Sequence, residues 1–386
     1  MAQYDLETLS RRIILPSMPV TGEEKARAAY QDLGQKLARQ EMWDELSREI
    51  RAADSHRAAT AGGESAALLL AFGARGDVVA VAEDALHGGA APCPDGIDAL
   101  EAICAEHGGD YAIALVVALA HVDLGWAWRA APPRNDVAAA QRRAQRHFSR
   151  AADILEPHCG FAENAPSLAA AQCALMPGLP DAGNIQIADH FEDLIDLDPA
   201  CPRHMRALGA ALLPACHGTH RALELEARRT AARTGDIWGA GGYTWVYFDA
   251  MALDAGALQA VDTAFFIDGL RDILRRRPDQ HTANLLAAFC AVTLRDAAAP
   301  ADNGNRAELR ACLDWILRDH LHELHPLVWT QAAHRPGLAA LPSRGALITE
   351  GRQTALRAIA AQFADDIAAG KSIAFSPTGM YLLPAL

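Results

Sequence analysis

The sequence predicts an all-α protein, an α-solenoid of stacked antiparallel helix hairpins. An apolar pattern at positions i, i+4, i+7 and i+8, here called the repeat pattern, returns about every forty residues along the 386-residue chain. Prolines follow several copies of it, and no segment of useful length alternates at period two as a half-buried strand would. A unit that recurs at this period and cannot bury its apolar face alone stacks on its neighbours.

Five predicted helices carry the repeat pattern. The copies are Ala144/Phe148/Ala151/Ala152, Ile187/Phe191/Leu194/Ile195, Leu223/Ala227/Thr230/Ala231, Phe266/Leu270/Ile273/Leu274 and Leu309/Leu313/Ile316/Leu317. Their starts are 43, 36, 43 and 43 residues apart. Residues three and four apart share one helix face, so each copy predicts an amphipathic helix. Pro199 and Pro278 each fall 12 residues after the start of their copy, where a proline ends the helix.

Other helices are predicted around these five. A charged N-terminal helix over 21–53 begins at Thr21, with Glu24 as its capping-box partner. An inner helix beginning near Tyr111 is apolar on both sides, as a helix covered on both faces requires. The remaining helices are predicted over residues 64–72, 77–86, 167–176, 203–213, 243–253, 282–295, 326–334 and 344–369.

These elements divide the chain into three predicted regions. Residues 1–95 form an N-terminal helical capping region that ends at a Pro/Gly-rich break over 87–96. Residues 96–370 form the helical-repeat solenoid, and residues 371–386 form an apolar tail that is expected to pack back on it. No sheet is expected.

Composition excludes several functional classes. The net charge of −13 argues against nucleic acid as a partner, because phosphate binding needs clustered Lys and Arg. The N-terminus lacks a signal-peptide core, and the longest apolar run, over 111–120, is short for a membrane span. The eight cysteines are scattered without a Cys-x-x-Cys pair and are expected to be free thiols. We therefore predict a cytoplasmic protein with no membrane partner and no cofactor.

Two hairpins of the repeat region resemble tetratricopeptide units, whose second helix commonly closes on a proline. They end at Leu197-Asp198-Pro199 and at Arg277-Pro278, and the resemblance covers roughly residues 98–317. The segment 204–250, with Leu208-Gly209 and Trp238-Gly239, also resembles an uncharacterised bacterial family of helix pairs. Members of the tetratricopeptide class mostly bind other proteins, so the resemblance implies a protein or peptide partner. No catalytic residue carries over from either family.

Aromatic and arginine residues concentrate in one segment. Five of the 23 aromatic residues fall between Trp238 and Phe248, after a basic run. Aromatic rings and arginines are enriched where binding energy concentrates. The candidate partner-binding residues are Arg228, Arg229, Arg233, Trp238, Tyr243 and Trp245. The alternative is that Trp245 and Phe248, three residues apart, fill the core at a repeat junction, and the sequence leaves both open.

Two clusters contain residues able to bind a metal. Cys201, His204, Cys216, His217 and His220 have spacings close to those of structural zinc sites. The helix predicted over 203–213 would hold the two ends of this cluster apart, so no metal site is predicted there. His320, His322 and His325 form the second cluster, although histidines at a helix C-terminus also interact with the dipole.

The sequence contains no phosphate-binding glycine loop and no nucleophile elbow. We therefore predict a protein-binding helical-repeat scaffold or adaptor of the bacterial cytoplasm, with no catalytic activity of its own. The alternative is a metal-dependent enzyme that uses the Cys/His or the His-rich cluster.

Overall fold

A computed structural model describes residues 6–130, 137–179, 184–216, 218–296, 304–334 and 342–384. The protein is 75% helical, which confirms the all-α class. The chain divides into two compact units, which do not follow the predicted boundaries. Unit 1 comprises Met1–Gly22 and His220–Leu386, and unit 2 comprises Glu23–Thr219.

The helices are α1 Leu6–Arg12, α2 Gly22–Arg39, α3 Trp43–Ser55, α4 Ala66–His87, α5 Asp95–Glu106, α6 Tyr111–Ala130, α7 Val137–Leu155, α8 Pro166–Leu175, α9 Asn184–Leu197, α10 Pro202–Ala211, α11 His220–Arg233, α12 Gly235–Trp238, α13 Gly241–Leu253, α14 Ala255–Ala260, α15 Thr263–Arg276, α16 Gln280–Ala288, α17 Leu294–Asp296, α18 Asn305–Asp319, α19 Pro326–Ala333, α20 Arg344–Gln362 and α21 Ala364–Ala368. A π-helical turn, Phe289–Thr293, joins α16 to α17. The strands are β1 Ile13–Ile14, β2 Ser372–Ser376 and β3 Gly379–Leu383.

The repeat pattern marks the buried faces of α7, α9, α11, α15 and α18. Every position of its five copies is buried except Ala152, which is partly buried. Apolar residues at these spacings line one side of a helix, and burying that side stabilises the helix far more than its intrinsic propensity does. The sequence prediction of these five helices is confirmed.

Two predicted helix boundaries in unit 2 are wrong. The N-terminal helix divides into α2 and α3 at Glu41, whose backbone has a φ of 56°. The two helices predicted over 64–72 and 77–86 form the single helix α4. Gly73 does not break α4 because its bare Cα lies against α2, where a Cβ would meet the backbone oxygen of Gln31 at 1.9 Å.

The inner helix α6 is the centre of unit 2, where it packs against α4, α5, α7 and α8. From Tyr111 to Val122 every residue is buried, which confirms the prediction of a helix covered on both faces. Among the described residues α6 alone is long and apolar enough to cross a membrane, and 83% of the window that passes this test is buried inside the protein. Core helices of soluble proteins have the same composition.

The expected absence of a sheet is wrong. In unit 1 the C-terminal tail forms β2 and β3, which pair antiparallel, and β1 pairs parallel with β2. Ile373 and Phe375 of β2 are buried, while Ser372, Ala374 and Ser376 are partly exposed. This alternation is the strand signal, and it is too short to stand out in the sequence. The tail therefore packs back on the chain as predicted, but as a hairpin.

Candidate functional sites

The aromatic segment proposed as a binding surface is part of the core of unit 1. Trp238, Tyr243 and Trp245 are 1%, 0% and 2% exposed, so the expectation of exposed rings is wrong. Trp238 packs edge-on against Trp245, with 5.8 Å between ring centroids, and Phe248 stacks on Phe289 at 4.3 Å. The chain uses these rings to pack α12 and α13 against their neighbours, which is the alternative that the sequence left open.

The arginines of the same segment pair with acidic residues on the surface of unit 1. Arg228 binds Glu224 Oε1 at 2.6 Å and Asp262 Oδ2 at 2.9 Å, and Arg229 binds Glu226 Oε1 at 2.9 Å. Arg233 is the last residue of α11. These ion pairs join neighbouring side chains of unit 1, so Arg228 and Arg229 already have acidic partners there.

Glu224, the ion-pair partner of Arg228, accepts hydrogen bonds from two buried tyrosines. The hydroxyls of Tyr243 and Tyr247 donate to Glu224 Oε2 at 2.6 and 2.7 Å. Burial, together with this carboxylate, raises the pKa of both phenols above the ordinary value. Both tyrosines therefore remain neutral hydrogen-bond donors at physiological pH.

The histidines of the second cluster do not share a helix face. Helix α18 ends at Asp319, so His320 and His322 lie in the connection to α19. Gln280 Oε1 accepts a hydrogen bond from His322 N at 2.9 Å, and Asn284 Oδ1 accepts one from His325 N at 3.0 Å. The side-chain amides of α16 thus shape this connection. Among the described residues these histidines belong to no group of three or more possible metal ligands, although His325 Nε2 lies 3.3 Å from Glu323 Oε1.

A compact group of possible metal ligands lies in unit 2, here called the Asp/Cys/His group. It consists of Asp198, Cys201 and His204, whose ligand atoms all lie within 4.8 Å of one another. His204 Nε2 is 3.6 Å from Asp198 Oδ2, an ion-pair distance too long for a good hydrogen bond. The residues are 8%, 4% and 5% exposed, so water has little access to the group.

The turn between α9 and α10 places these three side chains together. Asp198 follows the last residue of α9, and its carbonyl accepts a hydrogen bond from Cys201 N at 3.3 Å. Cys201 is the N-cap of α10, and Pro202 occupies the first helical position, which favours a helix start there. His204 lies in the first turn of α10, so all three ligands come from seven consecutive residues.

The loop that carries Gly63 contacts Cys201 of the group. The thiol of Cys201 donates to the carbonyl oxygen of Gly63 at 3.2 Å. Gly63 has a φ of +80°, and a Cβ at this position would approach Pro202 Cδ to 2.7 Å. A glycine is therefore required both by the backbone conformation and by the close approach of the two segments.

The electrostatics of the group favour a positive charge on the imidazole. Burial opposes that charge, but the neighbouring Cys201 and Asp198 outweigh the burial and raise the pKa of His204 to about 9. His204 Nε2 is nevertheless buried with no hydrogen-bond partner within the described part of the chain. An unpartnered buried nitrogen is costly, which marks this group as unusual.

The structure brings together only part of the predicted Cys/His cluster. Cys216 ends a short 3₁₀ turn and is not a member of the Asp/Cys/His group. His220 belongs to unit 1, where its Nε2 lies 3.2 Å from Asp254 Oδ2, and His217 lies outside the described residues. Asp198 was missed as a ligand, although its spacing of three residues from Cys201 was the available signal.

Unit 2 also contains an open cleft of about 880 Å³ between α2, α3, α4 and α5. Its apolar lining includes Met42, Trp43, Val78, Leu100 and Ile103. Met42 is 38% exposed and adds accessible apolar surface to the cleft. The volume lies in the range of about 300–1,000 Å³ that is typical of ligand sites.

Acidic residues surround this apolar floor. The lining contains five carboxylates, Glu41, Asp44, Glu45, Asp77 and Glu106, and two guanidiniums, those of Arg39 and Arg48, which leaves a formal charge of −3. Two hydrogen bonds from Arg39 to Asp77, at 2.6 and 2.8 Å, connect α2 to α4 across one wall. The Arg39 guanidinium holds the pKa of Asp77 below its usual value, so this ion pair persists at neutral pH.

Comparison of the chain with protein-family models, with curated proteins and with solved structures finds no match. Function is therefore inferred from the cleft and from the Asp/Cys/His group.

Proposed function

We propose that this protein is a helical-repeat binding scaffold, and that the cleft of unit 2 takes a basic amphipathic helix from a partner protein. The observation that carries the proposal is the apolar floor surrounded by carboxylates. An amphipathic helix buries its apolar face in such a groove, and its Lys and Arg side chains then reach the acidic rim. The eight free cysteines are consistent with a reducing compartment, and the proposed setting is the bacterial cytoplasm.

The order of helix packing supports a repeat architecture of the tetratricopeptide type within each unit. In unit 2, α6 packs on α7, α8 on α9 and α9 on α10. In unit 1, α11 packs on α13, α13 on α15 and α15 on α18. Helices adjacent or nearly adjacent in the chain therefore pack against each other, as in stacked hairpins.

The cleft is preformed by close packing behind it. A Cβ at Gly34 of α2 would meet the Leu70 backbone oxygen of α4 at 2.1 Å. The two helices therefore touch through bare backbone, and the Arg39–Asp77 ion pair extends this contact towards the cleft. A preformed groove loses little conformational entropy on binding, which favours affinity.

A pair of designed peptide probes tests the proposal. The first peptide is an amphipathic helix with a leucine face and a lysine face. The second peptide is identical except that glutamate replaces every lysine. We expect the lysine peptide to bind the full chain in a fluorescence anisotropy titration, with an affinity that falls as salt rises. Equal binding of the two peptides, or no binding of either, would overturn the proposal.

Charge reversal locates the probe on the cleft. Asp44 has a side chain that is 89% exposed, so Asp44→Lys should leave the fold intact. Asp44→Lys changes the charge of the rim by two, and we expect the lysine peptide to bind about two- to fivefold more weakly, as loss of a surface ion pair does. Asp84→Lys on α4 is the control, because it changes the net charge equally at an exposed residue that does not line the cleft. Ala99→Trp, at an exposed residue of the lining, should block the groove sterically.

A metal-dependent enzyme is the second candidate function, and the Asp/Cys/His group is the observation that favours it. A catalytic metal needs a position open to substrate. The group is nearly closed to water, and its members do not line the cleft. The binding scaffold is therefore the better supported function.

A further inference from the structure

We propose that Asp198, Cys201 and His204 form a structural site for one zinc-class metal ion. The site would connect the first turn of α10 to the loop that carries Gly63. This role is independent of the cleft and of the partner proposed for it.

The ligand geometry fits a tetrahedral ion. Ligand atoms about 2.0–2.3 Å from a tetrahedral zinc lie roughly 3.3–3.8 Å from one another. His204 Nε2 and Asp198 Oδ2 already lie 3.6 Å apart. The widest separation within the group is no more than 4.8 Å, so a closure of about 1 Å along flexible side-chain torsions suffices.

The donor types select among metals. A thiolate, an imidazole and a carboxylate together suit Zn²⁺ and, as an experimental substitute, Co²⁺, whereas Mg²⁺ and Ca²⁺ prefer oxygen ligands throughout. The Gly63 carbonyl oxygen lies 3.2 Å from Cys201 Sγ. Three side chains would therefore bind the ion, and the fourth position of a tetrahedral ion would be taken by this oxygen or by a water molecule.

The burial of the group supplies an independent observation. His204 is only 5% exposed, and its Nε2 has no hydrogen-bond partner in the described ranges. A buried donor or acceptor without a partner is unfavourable, because it has lost its hydrogen bonds to water. A metal ion bound to Nε2 removes this cost, and its positive charge compensates the buried carboxylate and thiolate.

Metal binding here releases protons to solvent. The thiol of Cys201 now donates to Gly63, and a zinc–sulfur bond forms only when that proton leaves. A protonated His204 must also release its Nε2 proton before that nitrogen binds the ion. The unfolded chain does not hold the three ligands together, so bound metal stabilises the folded unit. Because the group is closed, the ion enters as the chain folds or opens locally.

The test uses the full chain without an affinity tag, stripped of metal by a chelator and titrated with Co²⁺. We expect one equivalent to bind and to produce the thiolate-to-cobalt charge-transfer absorption, and Zn²⁺ to remove that absorption. Cys201→Ser should abolish the band. His204→Gln and Asp198→Asn should weaken Co²⁺ by more than about 100-fold, beyond the 10–100-fold effect of losing a group that only orients a ligand.

Cys216→Ser is the matched control, because Cys216 lies in the same unit but outside the group. It should bind Co²⁺ like the unaltered protein. A folded protein that shows no saturable band, or a band that survives Cys201→Ser, would overturn the proposal.

A second measurement uses the unaltered protein, so it tests the site even if the variants do not fold. The unaltered protein is alkylated with and without Zn²⁺, and each cysteine-containing peptide is quantified by mass spectrometry. Zn²⁺ should slow alkylation of Cys201 at least about tenfold and leave Cys216 unchanged, since a metal-bound thiolate is no longer a free nucleophile. If Zn²⁺ protected both cysteines equally from alkylation, or protected neither, the proposed site would be contradicted.

Discussion

The carboxylate of Asp54 caps helix α8 by accepting two hydrogen bonds from Ser167. Asp54 Oδ1 accepts from the backbone nitrogen at 3.0 Å, and Oδ2 accepts from the hydroxyl at 2.6 Å. Tyr111 adds a third donor at 3.2 Å. The helix therefore receives its capping acceptor from α3, 113 residues earlier in the chain, instead of from a residue next to it.

Removing this cap should destabilise unit 2. Burial raises the pKa of Asp54, but Ser167 and Tyr111 are placed to stabilise its charged form. We expect Asp54→Ala to lower the free energy of unfolding by about 2–4 kcal/mol, because it leaves three buried donors without an acceptor. Asp54→Asn keeps the shape and should cost less. Urea titration followed by circular dichroism measures both, and equal stability of Asp54→Ala and the unaltered protein would contradict the role.

The histidine pair of unit 2 predicts a loss of stability in mild acid. His147 Nδ1 lies 3.0 Å from His121 Nδ1, and Glu101 and Arg150 complete the cluster. Burial lowers the pKa of His147 to about 4, and the neighbouring His121 and Arg146 further oppose its protonation. In the unfolded chain His147 has an ordinary pKa near 6.5, so it binds a proton at a pH where the folded chain does not. The free energy of unfolding therefore falls as pH decreases from about 6.5 towards 4.

The expected contribution of His147 is about 1–2 kcal/mol lost between pH 7 and pH 5. His147→Gln removes the titrating group, so its stability should fall less over the same interval. Urea denaturation of both proteins at the two pH values measures the difference. Identical pH dependence would show that His147 does not titrate in this range.

The contact between α2 and α4 predicts opposite effects of two glycine substitutions. Gly34→Ala places a Cβ 2.1 Å from the Leu70 oxygen, so the two helices must separate. We expect this to lower the free energy of unfolding by about 1–3 kcal/mol. Gly76 lies on α4 with nothing within 4 Å of an added Cβ. Gly76→Ala should therefore stabilise the protein by about 0.5–1 kcal/mol through helix propensity. A thermal melt compares the two, and a stabilising Gly34→Ala would contradict the close approach.

The buried aromatic cluster of unit 1 predicts a large cost for truncation. Trp245→Ala should lower stability by about 3–5 kcal/mol, as loss of a large core side chain does. Trp245→Phe should cost much less, because Trp245 Nε1 is buried without a partner among the described residues and phenylalanine removes that polar atom. Thermal melting of the two variants measures these costs. A Trp245→Ala protein as stable as the unaltered protein would contradict the burial of this ring in the core.

The helices were predictable because their signal is local. Apolar residues such as Phe148, Phe266 and Leu313 recur at helical spacing, and burial of one helix face follows from that spacing in any packed arrangement. The joining of 64–72 to 77–86 was not predictable, since the packing of α2 against Gly73 brings together segments that are distant in the sequence.

The sequence by itself determined the all-α class, the five repeat-pattern helices and the candidates Cys201 and His204. Only the tertiary structure decided which segments meet: the loop of Gly63 closing over Cys201, the cleft between α2 and α5, and the burial of Trp238 and Trp245. Helical periodicity depends on neighbours three and four residues away, whereas exposure and ligand distance depend on packing between segments far apart in the chain.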